Sequence, residues 1–456
     1  MLEKGKIHFI AIGGSAMHNL ALALASQGFQ VSGSDDEIFE PSRSRLAKAG
    51  VLPEANGWFP EKVTEDLEAV ILGMHARKDN PELIKARSLG LKIYSYPEFI
   101  YEQSKDKQRV VICGSHGKTT ITSMVMHVLA YHKRKFDYMV GAQLEGFDTM
   151  VKLSEDAPLI VIEGDEYLSS PIDPSPKFLH YHHHIALISG ISWDHINVFP
   201  TFDEYVRQFE ALADATPKGG SLVYNEEDDL LTVICRKERD DVQQIEYKTP
   251  KYEIKNGVTI LSKEEPPVSL QIFGKHNLNN LNGARAICYK IGITPAMFNE
   301  AIESFKGAAN RLELLEKSDS TVVFKDFAHA PSKLKATTSA VKEQFPKHEV
   351  VAVLELHTFS SLNKQFLPQY KDCFENADIP LVYYNPKTIE HKKLEAISPE
   401  EVQNAFNNKK LRIFTNSDEL KNALLSLNLN NKVVLLMTSG NFDGISLRDF
   451  AKEIVQ

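Results

Sequence analysis

The sequence predicts an α/β protein built as three successive units, each around a mostly parallel, doubly wound sheet. Three observations predict it. Short apolar runs of strand length alternate with longer stretches of helical apolar spacing, the pattern of strand–helix–strand units. The chain has 456 residues, enough for about three domains. The alternation is interrupted by the charged stretch Ser104–Arg109, and a new series of strands opens near Leu314. The expected divisions are therefore 1–107, 108–313 and 314–456.

In the first unit, Lys6 to Ile12 is a short apolar run ending in Gly13-Gly14. Ser15 to Gln27 has helical spacing, and Gly28 is its stop signal. Phe29 to Ser32 is a second strand, closed by Gly33-Ser34-Asp35-Asp36. Ala69 to Gly73 and Leu91 to Tyr94 are two more. The second unit opens on a strand from Val110 to Cys113, followed by a long helix from about Lys118. Strands at Leu159–Glu163 and Ile185–Ser189 and a helix from about Phe202 come next. Short β-like runs at Gly257–Leu261 and Val268–Ile272 precede a helix after Asn277 and another from Pro295 to Phe305. The third unit has strands at Thr321–Phe324, Glu349–Leu356, Leu381–Tyr384, Arg412–Thr415 and Lys432–Thr438, separated by helical patterns.

Composition narrows the function. The formal net charge is 52 − 61 = −9, the opposite of the basic footprint that non-specific nucleic-acid binding requires. With 43% hydrophobic and 25% charged residues, the chain is neither disordered nor fibrous. Cys113, Cys235, Cys288 and Cys373 lie far apart and form no CxxC pair, which predicts buried, reduced thiols. The N-terminus has no signal-type apolar core, and no window is apolar enough to span a membrane. The expectation is a soluble, cytoplasmic protein with no membrane or nucleic-acid partner.

The sharpest motif is Val110-Val-Ile-Cys-Gly114-Ser115-His116-Gly117-Lys118-Thr119-Thr120. A strand runs through a glycine-flanked loop into a helix. Loop N–H groups and the helix N-terminus make an anion site, and Lys118 adds a mobile positive charge. Thr119 stands where phosphate-loop proteins ligate Mg²⁺, although the spacing is GxxGKT rather than the common GxxxxGKT. The strand Leu159-Ile-Val-Ile-Glu163 ends in three carboxylates, Glu163, Asp165 and Glu166, and Glu163 is the metal candidate. Ser192-Trp193-Asp194-His195 follows a strand of the same unit, so His195 is a candidate for a second cation or a phosphate oxygen. Gly274-Lys275-His276-Asn277-Leu278-Asn279-Asn280 offers an imidazole and amides to a nucleotide, but asparagines also commonly cap helices. Ala11-Ile12-Gly13-Gly14-Ser15, with Asp35 about twenty residues on, is a degenerate diphosphate-binding loop. The run His180 to His184 lacks the carboxylate or cysteine company of a closed zinc site, and adjacent residues of an extended segment face opposite ways. It is not expected to bind metal.

Together these segments resemble the Mur ligases, ATP-dependent amide-forming enzymes of bacterial cell-wall synthesis. GSHGKTT resembles that family's short GTxGKT loop, VIEGDEY its EADE segment, SWDHINVF its DH motif and GKHNLNN its GxHNxxN motif. NRLELL and KDFAHAP resemble the segments opening its C-terminal domain, and AIGGSAM with GSDD its UDP-sugar loop. The resemblance implies a Rossmann-like N-terminal domain, a central phosphate-loop ATPase domain and a Rossmann-like C-terminal domain. It also implies ATP and Mg²⁺ as cofactors, and a monomer or weak homodimer. The branch that joins UDP-N-acetylmuramate to L-alanyl-γ-D-glutamyl-meso-diaminopimelate, in peptidoglycan recycling, is the most similar. An L-alanine-adding ligase and a non-catalytic sensor of UDP-muropeptides are the alternatives.

The same resemblance assigns residues. Gly114, Ser115, His116, Gly117, Lys118, Thr119 and Thr120 would cradle the phosphates. Thr119, Glu163 and His195 would hold metal. His276, Asn277 and Asn280 would meet the nucleotide, and Arg311 and Asp326 would reach it from the C-terminal domain. Gly13, Gly14, Ser15 and Asp35 would lie near UDP, with His75 and Asn80 at the muramate. His329 is the candidate base for the incoming amine. The chain departs from the branch at Ala330, where a second histidine is usual, and at Ala308-Ala309-Asn310, which leave Arg311 alone where arginines run together. His357-Thr358-Phe359-Ser360-Ser361 is closer to the alanine-adding type. The segment Tyr205–Leu212 contains no lysine, so the carbamoylated lysine of some relatives is not expected.

Overall fold

The computed structural model describes residues 4–144, 146–193, 198–237, 239–308 and 310–456. Its first sheet has four parallel strands in the order Gln30–Ser34, Lys6–Ile10, Leu67–Leu72, Ile93–Ser95. The first strand stops at Ile10, short of the expected Ile12. Ala11 takes a positive φ of 67°, and the Ala11 and Ile12 N–H groups both turn to Ser34 O. The helix Ser15–Ser26 follows, and it docks on the central unit. Asn19 Oδ1 accepts from Met150 N at 3.0 Å, and one apolar cluster spans both units.

The central sheet has seven strands in the order Gln243–Tyr247, Ser221–Asn225, Ile185–Ile188, Gln108–Cys113, Leu159–Glu163, Asp137–Met139, Val151–Lys152. All pairs are parallel except the last. Gln108–Cys113 is its middle strand, with Val110, Val111, Ile112 and Cys113 fully buried. A strand covered on both faces reads as a continuous apolar run, and each such side chain contributes roughly 2 kcal/mol on burial. The loop that leaves this strand is thereby anchored on a rigid support. It emerges between the strand ends Glu163 and Ile188, at the C-terminal edge where parallel sheets bind ligands.

The third sheet has six strands in the order Glu313–Lys317, Thr321–Asp326, Lys432–Met437, Glu349–Glu355, Ile379–Tyr383, Arg412–Phe414. Its first pair is antiparallel and the rest are parallel. A small antiparallel sheet of Glu253–Lys255, Val258–Leu261 and Val268–Leu270 meets the third unit. There Gln344 Nε2, at the end of the helix Pro331–Gln344, donates to Gly257 O at 2.7 Å. All four cysteines are buried and unbridged. Among the described residues no helix is long and apolar enough to cross a membrane.

The histidine run is used locally. His180 Nε2 lies 3.2 Å from Asp173 and 2.7 Å from Ser175 Oγ. Its donor atom falls within 4.8 Å of those of Asp173 and Glu98, but Glu98 already closes the capping box of the helix Tyr96–Ser104. His182 packs on the Tyr101 ring, and His184 accepts from Arg109 N. His183 is fully buried against Thr216 Oγ1 at 2.9 Å. Burial, aided by His184, His182 and Arg109, pulls its pKa down to about 4. The unfolded chain takes up this proton near pH 6.5, but the folded one only near pH 4. Stability is therefore present above the unfolded value and lost as pH falls from 6.5 towards 4. Between pH 7.5 and pH 5 this group should remove about 2 kcal/mol. Urea unfolding at both pH values should show that loss in the native protein and its absence in His183→Gln. An equal loss in both would contradict the account.

Candidate nucleotide and ligation site

Gly114 and Gly117 allow the loop after Cys113 to turn. Gly114 has φ 123°, and a Cβ there would overlap Ser189 Oγ and stand 2.8 Å from Ser189 N. Gly117 has φ 74°, and its Cβ would overlap Asn280 Oδ1. Both positions require glycine. The strand end at Ser189-Gly190 braces the turn. Ser189 N donates to Cys113 O at 3.0 Å and Ser115 N to Gly190 O at 2.9 Å, while Ser189 Oγ donates to His116 O.

The helix Lys118–Tyr131 starts on this loop, so its free N–H groups and its positive end face the same space as the loop. Lys118 Nζ donates to Gly114 O at 2.8 Å and to Glu166 Oε2 at 2.9 Å. Burial works against the ammonium, but Glu166 and Asp165 overrule it and hold the pKa above the usual lysine value. Thr119 Oγ1 donates to Glu163 Oε1 at 2.8 Å, and Gly141 N donates to Glu163 Oε2 at 2.7 Å. Burial, then Asp165, raises the Glu163 carboxyl above its usual range. A buried hydroxyl and carboxylate side by side form an all-oxygen donor set that fits a hard divalent cation such as Mg²⁺.

These groups line a cavity of about 730 Å³. Ser115, His116, Gly117, Thr119 and Thr120 form one wall with Lys118 and Glu163. The helix Lys275–Lys290 brings His276, Asn277 and Asn280 to another. Burial drops the His276 pKa to about 4, so it presents a neutral ring. Asn277 lies inside this helix rather than before it, and its Nδ2 donates to Phe273 O at 2.9 Å. The helix starts earlier than expected because Gly274, at φ 90°, forms its N-cap. Asn279, passed over in the sequence, bonds Asn225 and Glu227 at 3.0 Å each.

Arg311, just before the third sheet, and Asp326 and His329 of the C-terminal unit close the cavity. Arg311 lies over the Phe327 ring, 4.7 Å from its centroid. Asp326 is buried and accepts from Leu312 N at 2.7 Å and Ala328 N at 2.6 Å. Its carboxyl is raised by burial against the pull of Arg311. His329 Nδ1 lies 2.8 Å from Phe327 O. A carbonyl only accepts, so Nδ1 carries the hydrogen and Nε2 is the basic nitrogen of the neutral ring. Ala330 is the N-cap of the next helix and supplies no side-chain cap. Asp194 and His195 lie outside the described residues.

The sugar-loop residues gather elsewhere, in the first unit. Asp35 Oδ2 accepts from Gly13 N at 2.7 Å, and burial, with Asp36, lifts its pKa to about 6. His75 lies against Gly14, where an added methyl would meet its Cδ2 at 3.7 Å. Ser15 is exposed at the start of its helix. Asn80 is buried, and its Oδ1 caps the helix Pro81–Ser88 by accepting from Glu82 N and Leu83 N. That carbonyl oxygen therefore has a structural job, which the Asn-Pro-Glu spacing also allows.

A lysine and hydroxyl opening a helix after a glycine-bounded loop, with carboxylates on the adjoining strand, is the build of nucleotide-binding α/β proteins of the phosphate-loop class. Comparison with known proteins narrows the class. Three family models match in order: Mur ligase family, catalytic domain, over residues 6–108; Mur ligase middle domain over 112–288; and Mur ligase, glutamate ligase domain, over 310–440. The chain is 30% identical to the UDP-N-acetylmuramate–L-alanine ligase of Sulfurihydrogenibium sp., over 97% of its own length and 96% of that protein's. Its fold is similar to that of UDP-N-acetylmuramate-alanine ligase MurC from Thermotoga maritima, with a TM-score of 0.71, 21% identity, and 99% and 98% of the two chains covered. The murein peptide ligase mpl from Psychrobacter arcticus has a TM-score of 0.65 at 22% identity, over 99% of both chains. The chain belongs to the Mur ligase family. It is an ATP-dependent ligase that forms a carbon–nitrogen bond in peptidoglycan synthesis.

Proposed function

We propose that this ligase joins the lactyl carboxylate of UDP-N-acetylmuramate to the amine of L-alanyl-γ-D-glutamyl-meso-diaminopimelate, in the cytoplasm, as a step of peptidoglycan recycling. The observation that carries the reading is the shared cavity. The phosphate loop and Glu163 form one wall, and Arg311, with Asp326 and His329 of the C-terminal unit, forms another. A γ-phosphate and an acceptor amine can meet there. The divisions near residues 107 and 313 give the UDP-sugar, ATP and amine domains of the reading.

A carboxylate oxygen attacks the γ-phosphorus, the bond to the β-phosphate oxygen breaks, and ADP leaves with an acyl phosphate formed. The amine then adds to the acyl carbon, loses a proton, and inorganic phosphate departs. Lys118 and the loop N–H groups balance the charge that moves onto the leaving ADP. Thr119 and Glu163 would hold Mg²⁺, which neutralises phosphate charge when bound. His195 is assigned to a second cation on the family resemblance. His329 Nε2 accepts the proton of the amine, its ring held by the Nδ1 bond to Phe327 O. Gly13, Gly14, Asp35 and His75 are assigned to the UDP-sugar.

The L-alanine acceptor is the second reading. His357 Nδ1 stands 3.7 Å from Glu355 Oε1 in the segment closer to the alanine-adding type, and the Sulfurihydrogenibium relative is named for that acceptor. Phosphate release with ATP, Mg²⁺ and UDP-N-acetylmuramate should require the tripeptide and not L-alanine. Release with L-alanine alone would replace the first reading by the second.

A further inference from the structure

Tyr205 is fully buried at the start of the helix Phe202–Asp214, and no role above uses it. Its hydroxyl lies 2.9 Å from Glu166 Oε1 and 2.8 Å from Ser115 Oγ. The directions of these bonds can be assigned. A carboxylate beside an ammonium accepts, so Tyr205 gives its one hydrogen to Glu166. It must then accept from Ser115 Oγ, which in turn accepts from Ser192 N at 2.8 Å. Glu166 Oε2 receives Lys118 Nζ, which also donates to Gly114 O. The bonds form a directed chain: Ser192 N–H, Ser115 hydroxyl, Tyr205 hydroxyl, Glu166 and, from its other oxygen, Lys118. The chain starts at Ser192, after the strand Ile185–Ile188, enters the phosphate loop at Ser115, leaves it through Tyr205 and Glu166, and returns to it at Lys118.

We propose that Tyr205 is a positioning residue for phosphoryl transfer. Through Glu166 it sets the place of the Lys118 ammonium, and the Ser115 hydroxyl, by donating to Tyr205, fixes the direction of that bond. Two of the three ammonium donors are engaged by Gly114 and Glu166, which orients the third. This geometry explains why a carboxylate that is not assigned to metal stays beside the lysine. Glu166 holds Lys118 in place, and Tyr205 holds Glu166. The packing of the ring is a separate matter, since it sits edge-on to Phe199 and Phe209, with centroids 5.3 Å from each. Phenylalanine preserves that packing.

The inference rests on the reading of this loop as the ATP site, and the test separates the two. ATP binding by the full-length protein is measured by calorimetry with Mg²⁺, and steady-state rates are measured with the acceptor that supports turnover. Tyr205→Phe should keep the thermal transition close to native. It should lower kcat/KM for ATP about tenfold, the effect of a lost hydrogen bond to a charged group, with the KM for UDP-N-acetylmuramate unchanged. Glu166→Gln should lower kcat/KM for ATP further. Because both act through Lys118, the double variant should be no worse than Glu166→Gln alone. Native kinetics in Tyr205→Phe, or a double variant whose losses multiply, would overturn the proposal. Failure of the native protein to bind ATP would instead overturn the reading of the loop.

Discussion

Replacing Lys118 by alanine is expected to abolish ATP-dependent ligation, with turnover falling by roughly three orders of magnitude or more. The transferred phosphoryl group carries its charge on oxygens that face the loop, and Lys118 is a half-buried, charged donor beside it. The same substitution leaves Glu166 without its ammonium. That carboxylate is 1% exposed, and stripping one partner from a buried pair costs about 3 kcal/mol or more. Lost activity in Lys118→Ala could therefore reflect partial unfolding. Lys118→Ala combined with Glu166→Gln removes the orphaned charge. The double variant should recover most of the lost stability in urea melts and none of the activity. Ligation near the native rate in either variant would remove Lys118 from the mechanism.

Gly114→Ala has the second large effect, and its origin is backbone geometry. At φ 123° an L-residue is strained, and the new Cβ would meet not only the Ser189 side chain but Ser189 N at 2.8 Å and Gly190 N at 3.1 Å. Backbone on a buried strand end cannot step aside. The loop should move instead, with a loss of about 3 kcal/mol of stability and at least a tenfold weaker affinity for ATP. Gly219→Ala is the control. Its φ is 75°, but nothing lies within 4 Å of the added carbon, so only conformational strain of about 1 kcal/mol is expected. Equal losses in the two variants would mean that the Ser189 brace does not shape the loop.

Much of this was legible in the chain because its signals are contiguous. Strand, glycine loop and helix follow one another from Val110 to Tyr131, so one stretch of sequence carries both fold and site. Leu159–Glu163, a bounded apolar run, and the start of the helix at Phe202 also lie where the sequence puts them, and the structure adds a capping box at Thr201. What escaped depends on contacts between distant segments. Glu166 and Asp165 are adjacent acidic residues in the sequence, and only the fold turns Glu166 to Lys118 and leaves Asp165 with Lys177. In the sequence Tyr205 is one residue of a lysine-free segment, yet its hydroxyl meets the loop ninety residues away. The family resemblance places Asn80 at the muramate, and the fold adds that its side-chain oxygen caps the helix Pro81–Ser88. The short strands Asp137–Met139 and Val151–Lys152, the last two at one side of the central sheet, do not stand out in the sequence because three and two residues carry no periodicity.

The central claim is that ATP activates the muramoyl carboxylate as an acyl phosphate. UDP-N-acetylmuramate labelled with ¹⁸O in that carboxylate tests it most directly, by mass spectrometry of the nucleotide and phosphate released during one turnover. The account predicts ADP as the nucleotide product and one ¹⁸O in the inorganic phosphate. Release of AMP carrying the label would mean an acyl adenylate, and would contradict the placing of the γ-phosphate at Lys118.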